Sequence, residues 1–149
     1  MNRILAKGFH LYARLARGLT GGVRVLVTDG TRVLLVRHSY VAGLHLPGGG
    51  VEVGETFEEA AIKELREEAG VTPSAPLELF GLYLNTTVTR RDHVALYVCR
   101  AYERGPFAPT REIVEAEFHA LDALPDDVTA PTRRRIVEVT EGRRPDLRW

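Results

Sequence analysis

The sequence predicts an α/β domain: a mixed sheet with helices packed against it, preceded by an extra amphipathic helix. Three observations lead there. Runs rich in β-branched residues alternate with helical patterns along the chain. Its 149 residues suit one domain with a substantial core. No internal repeat, low-complexity tract or linker interrupts that alternation.

The first twenty residues, "MNRILAKGFHLYARLARGLT", contain Arg3, Lys7, Arg14 and Arg17 and no acidic residue. Ile4, Leu11, Tyr12, Leu15 and Leu19 recur at helical spacing. Such a segment reads as a membrane-surface helix, as an organelle-targeting peptide, or as a helix packed on its own domain or on a second subunit. The packing reading is adopted, with residues 1–20 as a packing or dimer element and residues 21–149 as a single domain. "VRVLVT" (Val23–Thr28) and "RVLLVRH" (Arg32–His38) read as strands, and the Asp29–Gly30 pair between them predicts a hairpin. "LELFGLYLN" (Leu77–Asn85) and "HVALYVCRAY" (His93–Tyr102) read as two more strands joined by the polar run Thr86–Asp92. "EFHALDAL" (Glu117–Leu124) reads as a short late strand that turns at Pro125. "APTRRRIVEVTEG" (Ala130–Gly142) reads as the last helix.

Composition narrows the function classes. Twenty basic and twenty acidic residues balance, which disfavours bulk binding to nucleic acid or to an anionic membrane. No apolar run approaches the ~20 residues of a membrane span, so no stable membrane association is expected. Cys99 is the only cysteine and lies in an apolar run. It reads as a buried structural thiol, and the cytoplasm is the expected compartment.

The chemistry concentrates in "LPGGGVEVGETFEEAAIKELREEAGV", Leu46–Val71. Thr56 and Glu59 have capping-box spacing, so a helix begins just after Thr56; Gly70 stops it and Pro73 forbids its continuation. At ~100° per residue, Phe57, Ala61 and Leu65 form an apolar arc. Glu64 and Glu68 fall inside that arc, Glu67 lies at its edge, and Glu59, Lys63 and Arg66 face water. Burying a carboxylate without a partner costs several kcal/mol. The i, i+3, i+4 spacing brings all three carboxylates within reach of one point. Hard oxygen ligands in such a cluster suit Mg²⁺ or Mn²⁺, and the absence of His and Cys disfavours zinc. A solvated helix rich in Glu, Lys and Arg has the same composition. The glycine triplet Gly48–Gly50 immediately before it favours the site reading, because glycine lets a ligand approach the main chain.

These residues resemble the Nudix box: Gly, five residues, Glu, seven residues, Arg-Glu-aliphatic, one residue, Glu-Glu, one residue, Gly-aliphatic. Gly49, Glu55, Glu64, Leu65, Glu67, Glu68, Gly70 and Val71 fill it. Lys63 stands where the pattern has Arg, which keeps the charge and loses the planar fork. The resemblance extends from Gly21 to the C-terminus and leaves the first helix outside.

The resemblance implies an α/β/α sandwich and a Mg²⁺- or Mn²⁺-dependent hydrolase of a nucleoside diphosphate linked to another group. Carried over by position, Glu64, Glu67 and Glu68 hold metal together with the carbonyl of Gly48. One carboxylate takes a proton from the attacking water. Glu64 and Glu67 are candidates, as is an acid after the box: Glu112, Glu115 or Glu117, of which Glu115 best fits the register. Arg37, with His38, and Arg90, with Arg91 and His93, are candidate substrate contacts, and Tyr40 a stacking one. The implied partner is a small nucleotide-diphosphate compound rather than a nucleic acid, and a homodimer stays open. The alternative is a nucleotide-binding regulatory module of the same fold without catalysis. The box is blind to the group linked to the diphosphate.

Overall fold

The computed structural model describes residues 3–149, with side chains from Lys7 onward. The expected helix start at Met1, and the side chains of Arg3 and Ile4, lie outside what it describes. Helix α1 covers Arg3–Arg17. Then come β1 (Thr20–Val27), β2 (Arg32–His38), β3 (Leu44–His45), α2 (Phe57–Ala69), β4 (Val71–Pro73), β5 (Glu78–Asn85), β6 (Asp92–Cys99), β7 (Tyr102–Arg104), β8 (Ile113–Ala120) and α3 (Ala130–Thr140).

The strands form two three-stranded sheets, β1-β6-β5 and β3-β2-β8, and a small β4-β7 pair. β1 runs parallel to β6, while β5–β6, β2–β3 and β2–β8 are antiparallel. The mixed character is therefore as expected. Side-chain alternation along the strands sorts the core into two faces. Val23, Val25, Val27, Leu34, Val36, Ala95, Tyr97 and Cys99 pack with Ala60, Ala61, Leu65 and Ala69 of α2. Leu26, Val33, Leu35, Leu96 and Val98 pack on the opposite face with Ile136 and Val139 of α3. Helices cover both sides, which makes the α/β/α sandwich.

The expected β1–β2 hairpin is not formed. Apart from one isolated bridge between Thr28 and Val33, the two strands belong to different sheets. The turn itself is as tight as the Asp-Gly pair suggests. Asp29 Oδ1 accepts from the backbone amides of Thr31 and Arg32, and Oδ2 accepts from the Arg32 guanidinium. Both strands are buried on both faces, so neither has the polar face of a hairpin ribbon, and each finds a partner from later in the chain. The late strand starts four residues before its expected position, because β2 pairs with it from Arg32↔Ala120 to His38↔Ile113. The expected His93–Tyr102 strand breaks after Cys99. Arg100 turns out to solvent, and β7 leaves to pair with β4.

Helix α2 starts and stops where its caps place it. The Thr56 side chain accepts from the Glu59 amide, and the Glu59 side chain accepts from the Thr56 amide. Gly70 closes the helix at φ 63°, a left-handed conformation that favours glycine.

Candidate active site

The glycine loop lies along the free edge of β1. The amide of Val23 donates to the Gly49 carbonyl (2.9 Å), Val25 to Pro47 (2.9 Å), and Val51 to Gly21 (2.8 Å). Space dictates Gly48, and Gly49 leaves room for the Glu64 carboxylate. A Cβ on Gly48, whose φ is 155°, would stand 2.0 Å from the Val23 carbonyl oxygen. A Cβ on Gly49 would stand 2.4 Å from Glu64 Oε1. Gly50 meets nothing. The loop is thus pressed between β1 and the carboxylate face of α2.

Glu68 is buried at 8% exposure, and its Oε2 accepts from the Gly48 amide at 2.9 Å. Burial pushes its carboxyl up to about 7, and the Gly48 hydrogen bond only partly opposes this. Glu64 is half-buried, and burial, followed by the charge of Glu67, raises its pKa as well. Glu67 is exposed. The three carboxylates line one pocket of about 350 Å³, closed on the far side by Thr110–Ile113. They do not converge on one point as the spacing suggested, and among the described residues no three His, Cys, Asp or Glu are placed to hold one metal ion together. Each has its own neighbour instead: Glu64 lies against Gly49 and Glu68 takes the Gly48 amide.

The donor set fits a hard divalent cation. It consists of carboxylate oxygens, two of them raised chiefly by burial, beside a main-chain carbonyl, with no soft ligand at hand. The nearby cation is Arg24, whose Nη1 donates to the Gly48 carbonyl (2.9 Å) and to the Leu46 carbonyl (3.4 Å). Sequence reasoning passed over Arg24. Its one signal was an arginine in the middle of an otherwise apolar strand. Because a carbonyl oxygen has two lone pairs, the Gly48 carbonyl keeps one beyond this bond.

Lys63 was expected in water. It is instead partly buried, with Nζ 2.9 Å from Glu55 Oε1 and 3.6 Å from Glu52 Oε1. It brackets the box from the side, as a point charge where the family pattern carries a fork.

The remaining candidates divide. Glu115 is not in the pocket. Its Oε2 accepts from Arg37 Nε (2.9 Å), and Arg37 Nη1 also binds Asp127 (2.6 Å). Those two carboxylates hold Arg37 and raise its pKa, so neither Arg37 nor Glu115 is directed at the carboxylate wall. The register explains this: Arg37 and Glu115 are cross-strand partners, and the acid that reaches the pocket is Glu112, in the loop before β8. Arg90 is exposed on the β5–β6 turn and does not line the pocket. Arg91 binds the end of α1. His93 lines a separate shallow pocket with Leu19 and Phe57. His38 is buried, with Nε2 3.8 Å from Glu68 Oε1. Burial holds its pKa near about 4, so at neutral pH the contact is not an ion pair. Tyr40 is 70% exposed with its ring 5.2 Å from that of His38. A larger cavity, about 440 Å³, lies between α3 and the segment around Arg143–Asp146, away from these residues.

A glycine loop pinned between a strand and a carboxylate-bearing helix, within an α/β/α sandwich, defines the class of hydrolases that this box marks. The family model for the NUDIX domain matches residues 18–139. The chain is 31% identical over 123 residues to an ADP-ribose pyrophosphatase of Methanocaldococcus jannaschii, covering 80% of this chain and 70% of that one. It is 37% identical over 133 residues to an NAD-capped RNA hydrolase of Pseudomonas aeruginosa, covering 87% of this chain but only 44% of that longer one. In fold it matches the crystal structure of a MutT NUDIX hydrolase from Burkholderia pseudomallei, with a TM-score of 0.70 at 23% identity, over 80% of this chain and 97% of that one. The chain belongs to the Nudix family and is a Nudix-type hydrolase, an enzyme of phosphorus-containing acid anhydrides.

Proposed function

We propose that this enzyme is a divalent-metal-dependent pyrophosphohydrolase that cleaves the diphosphate bond of a small nucleoside diphosphate linked to another group. One observation carries the reading: Glu64, Glu67 and Glu68 line a single pocket beside Gly48–Gly49, and two of them are raised by burial. Such carboxylates gain most from a cation. The names of the two relatives point to ADP-ribose and to the NAD cap of an RNA, and each contains a nucleoside diphosphate joined to a further group.

In this proposal Glu64, Glu67 and Glu68, with the free lone pair of the Gly48 carbonyl, hold Mg²⁺ or Mn²⁺. When bound, the ion neutralises pyrophosphate charge and stabilises the leaving oxygen. The chain supplies the rest. The Glu68–Gly48 hydrogen bond fixes the loop against the helix. Lys63 holds Glu55, and through it the entry to α2, in place. Glu112 faces the carboxylate wall and accepts the proton of the attacking water. It takes the role expected of Glu115.

The test is a panel of ADP-ribose, NAD, sugar nucleotides, dinucleoside polyphosphates and oxidised nucleoside triphosphates with Mg²⁺, Mn²⁺ or EDTA, scored for phosphate-bearing products. Ion-dependent cleavage of one class is the expected result. Nucleotide binding without turnover under every condition would support a non-catalytic module instead.

A further inference from the structure

We propose that α1 is a reversible docking helix for an anionic lipid surface. The sequence leads one to expect a helix packed on its own domain or on a second subunit, and in the single chain the domain does not cover its large apolar side chains from Lys7 onward. Phe9, Leu11, Tyr12 and Leu15 are 59–68% exposed, whereas the core-facing residues Val25, Leu26, Leu34 and Leu96 of the strands are at zero. At ~100° per residue these four side chains fall on one arc of roughly 160°, and Lys7, His10, Arg14 and Arg17 fall on the opposite side. The helix has no acidic residue in its sequence, and the first in the chain is Asp29.

The domain leaves both arcs of the helix uncovered and holds it at one end. Arg91 Nη1 donates to the carbonyls of Leu15 (2.9 Å) and Gly18 (3.4 Å), which ties the end of α1 to the β5–β6 turn. Beyond that end, exposed Leu19 lines a shallow pocket with Val51 and Phe57, so apolar surface continues from the helix onto the body.

Charge selects the occupant. A second copy would cover the apolar arc and leave the basic arc without partners. An anionic bilayer meets both at once: acyl chains against Leu11, Tyr12 and Leu15, headgroup phosphates against Lys7, Arg14 and Arg17. The fifteen-residue helix is about 22 Å long, too short to span and suited to lying in the interface. Balanced charge over the whole chain conceals this asymmetry, because four of its twenty basic residues lie in the first seventeen positions.

The test uses the full chain with two kinds of vesicle, phosphatidylcholine alone and phosphatidylcholine with phosphatidylglycerol. We expect co-sedimentation with the anionic vesicles only, weakened by high salt. The triple variant Lys7→Gln/Arg14→Gln/Arg17→Gln should lower partitioning about a hundredfold, at roughly fivefold per cation. Leu11→Ser/Leu15→Ser should abolish it. Circular dichroism and thermal melting check that both variants keep the fold. Absence of binding to anionic vesicles overturns the proposal, and so does equal binding to both kinds. A dimer by light scattering that reverts to monomer in the Leu11→Ser/Leu15→Ser variant also overturns it, since the face would then belong to a second copy.

Discussion

The carboxylate of Glu68 accepts the backbone N–H of Gly48 at 2.9 Å, joining the packed side of α2 to the glycine loop across twenty positions. The bond holds a mostly buried carboxyl at the wall of the pocket. Burial raises this carboxyl from 4.5 to about 7. A group whose folded pKa is raised favours the fold below its unfolded pKa, and that contribution is lost as pH rises toward 7. Glu68→Gln should therefore stabilise the EDTA-treated protein at pH 8 by about 1–3 kcal/mol and change little at pH 5. Turnover should fall by orders of magnitude. Adding Mg²⁺ or Mn²⁺ at pH 8 should raise the melting temperature of the parent more than that of the variant. Thermal melts at the two pH values, with and without ion, check this. A variant less stable than its parent at pH 8 in EDTA would contradict it.

Gly48→Ala would place a methyl group 2.0 Å from the Val23 carbonyl. The loop must then lift from β1 and break the Glu68 bond. We expect a loss of about 2 kcal/mol or more in urea unfolding and a larger relative loss in turnover. Gly50→Ala, which meets no atom, should cost little by the same measurements.

Glu112 and Glu115 stand three positions apart and have different neighbours. Glu112 lines the pocket, while Glu115 binds Arg37. Glu112→Gln should lower kcat by about a hundredfold or more. Glu115→Gln should change kcat only a few-fold. Steady-state kinetics on one cleaved substrate decides between them, and the reverse ranking would return the proton-accepting role to Glu115.

Lys63 Nζ lies 2.9 Å from Glu55. Lys63→Arg restores the fork and should keep or raise activity. Lys63→Met should lower kcat/KM several-fold while stability changes by less than about 1 kcal/mol, because the pair is partly solvated. Equal kinetics for all three side chains would remove Lys63 from the site.

Arg135 is fully buried, stacked 4.4 Å over the Tyr83 ring, and donates to Glu138 at 2.8 Å, while Tyr83 donates to the other Glu138 oxygen. Arg135→Ala would strand a buried carboxylate and should cost about 3–5 kcal/mol in urea unfolding. Tyr83→Phe removes one neutral donor and should cost about 1–3 kcal/mol.

What the sequence determined by itself is local. The Thr56–Glu59 box and Gly70 set both ends of α2 by neighbouring backbone chemistry, and the fixed positions of the family box marked Glu64, Glu67 and Glu68. Tertiary structure decided what depends on partners far along the chain. Strands buried on both faces carry no alternation to reveal a neighbour, so β1 reads as the partner of β2 yet pairs with β6. That register puts Glu115 opposite Arg37 and leaves Glu112 to the pocket. Arg24 and Lys63 look like outward-facing charges until the folded chain brings the Gly48 carbonyl and Glu55 to meet them, because a side chain's partner is set by proximity in space and not by spacing in sequence.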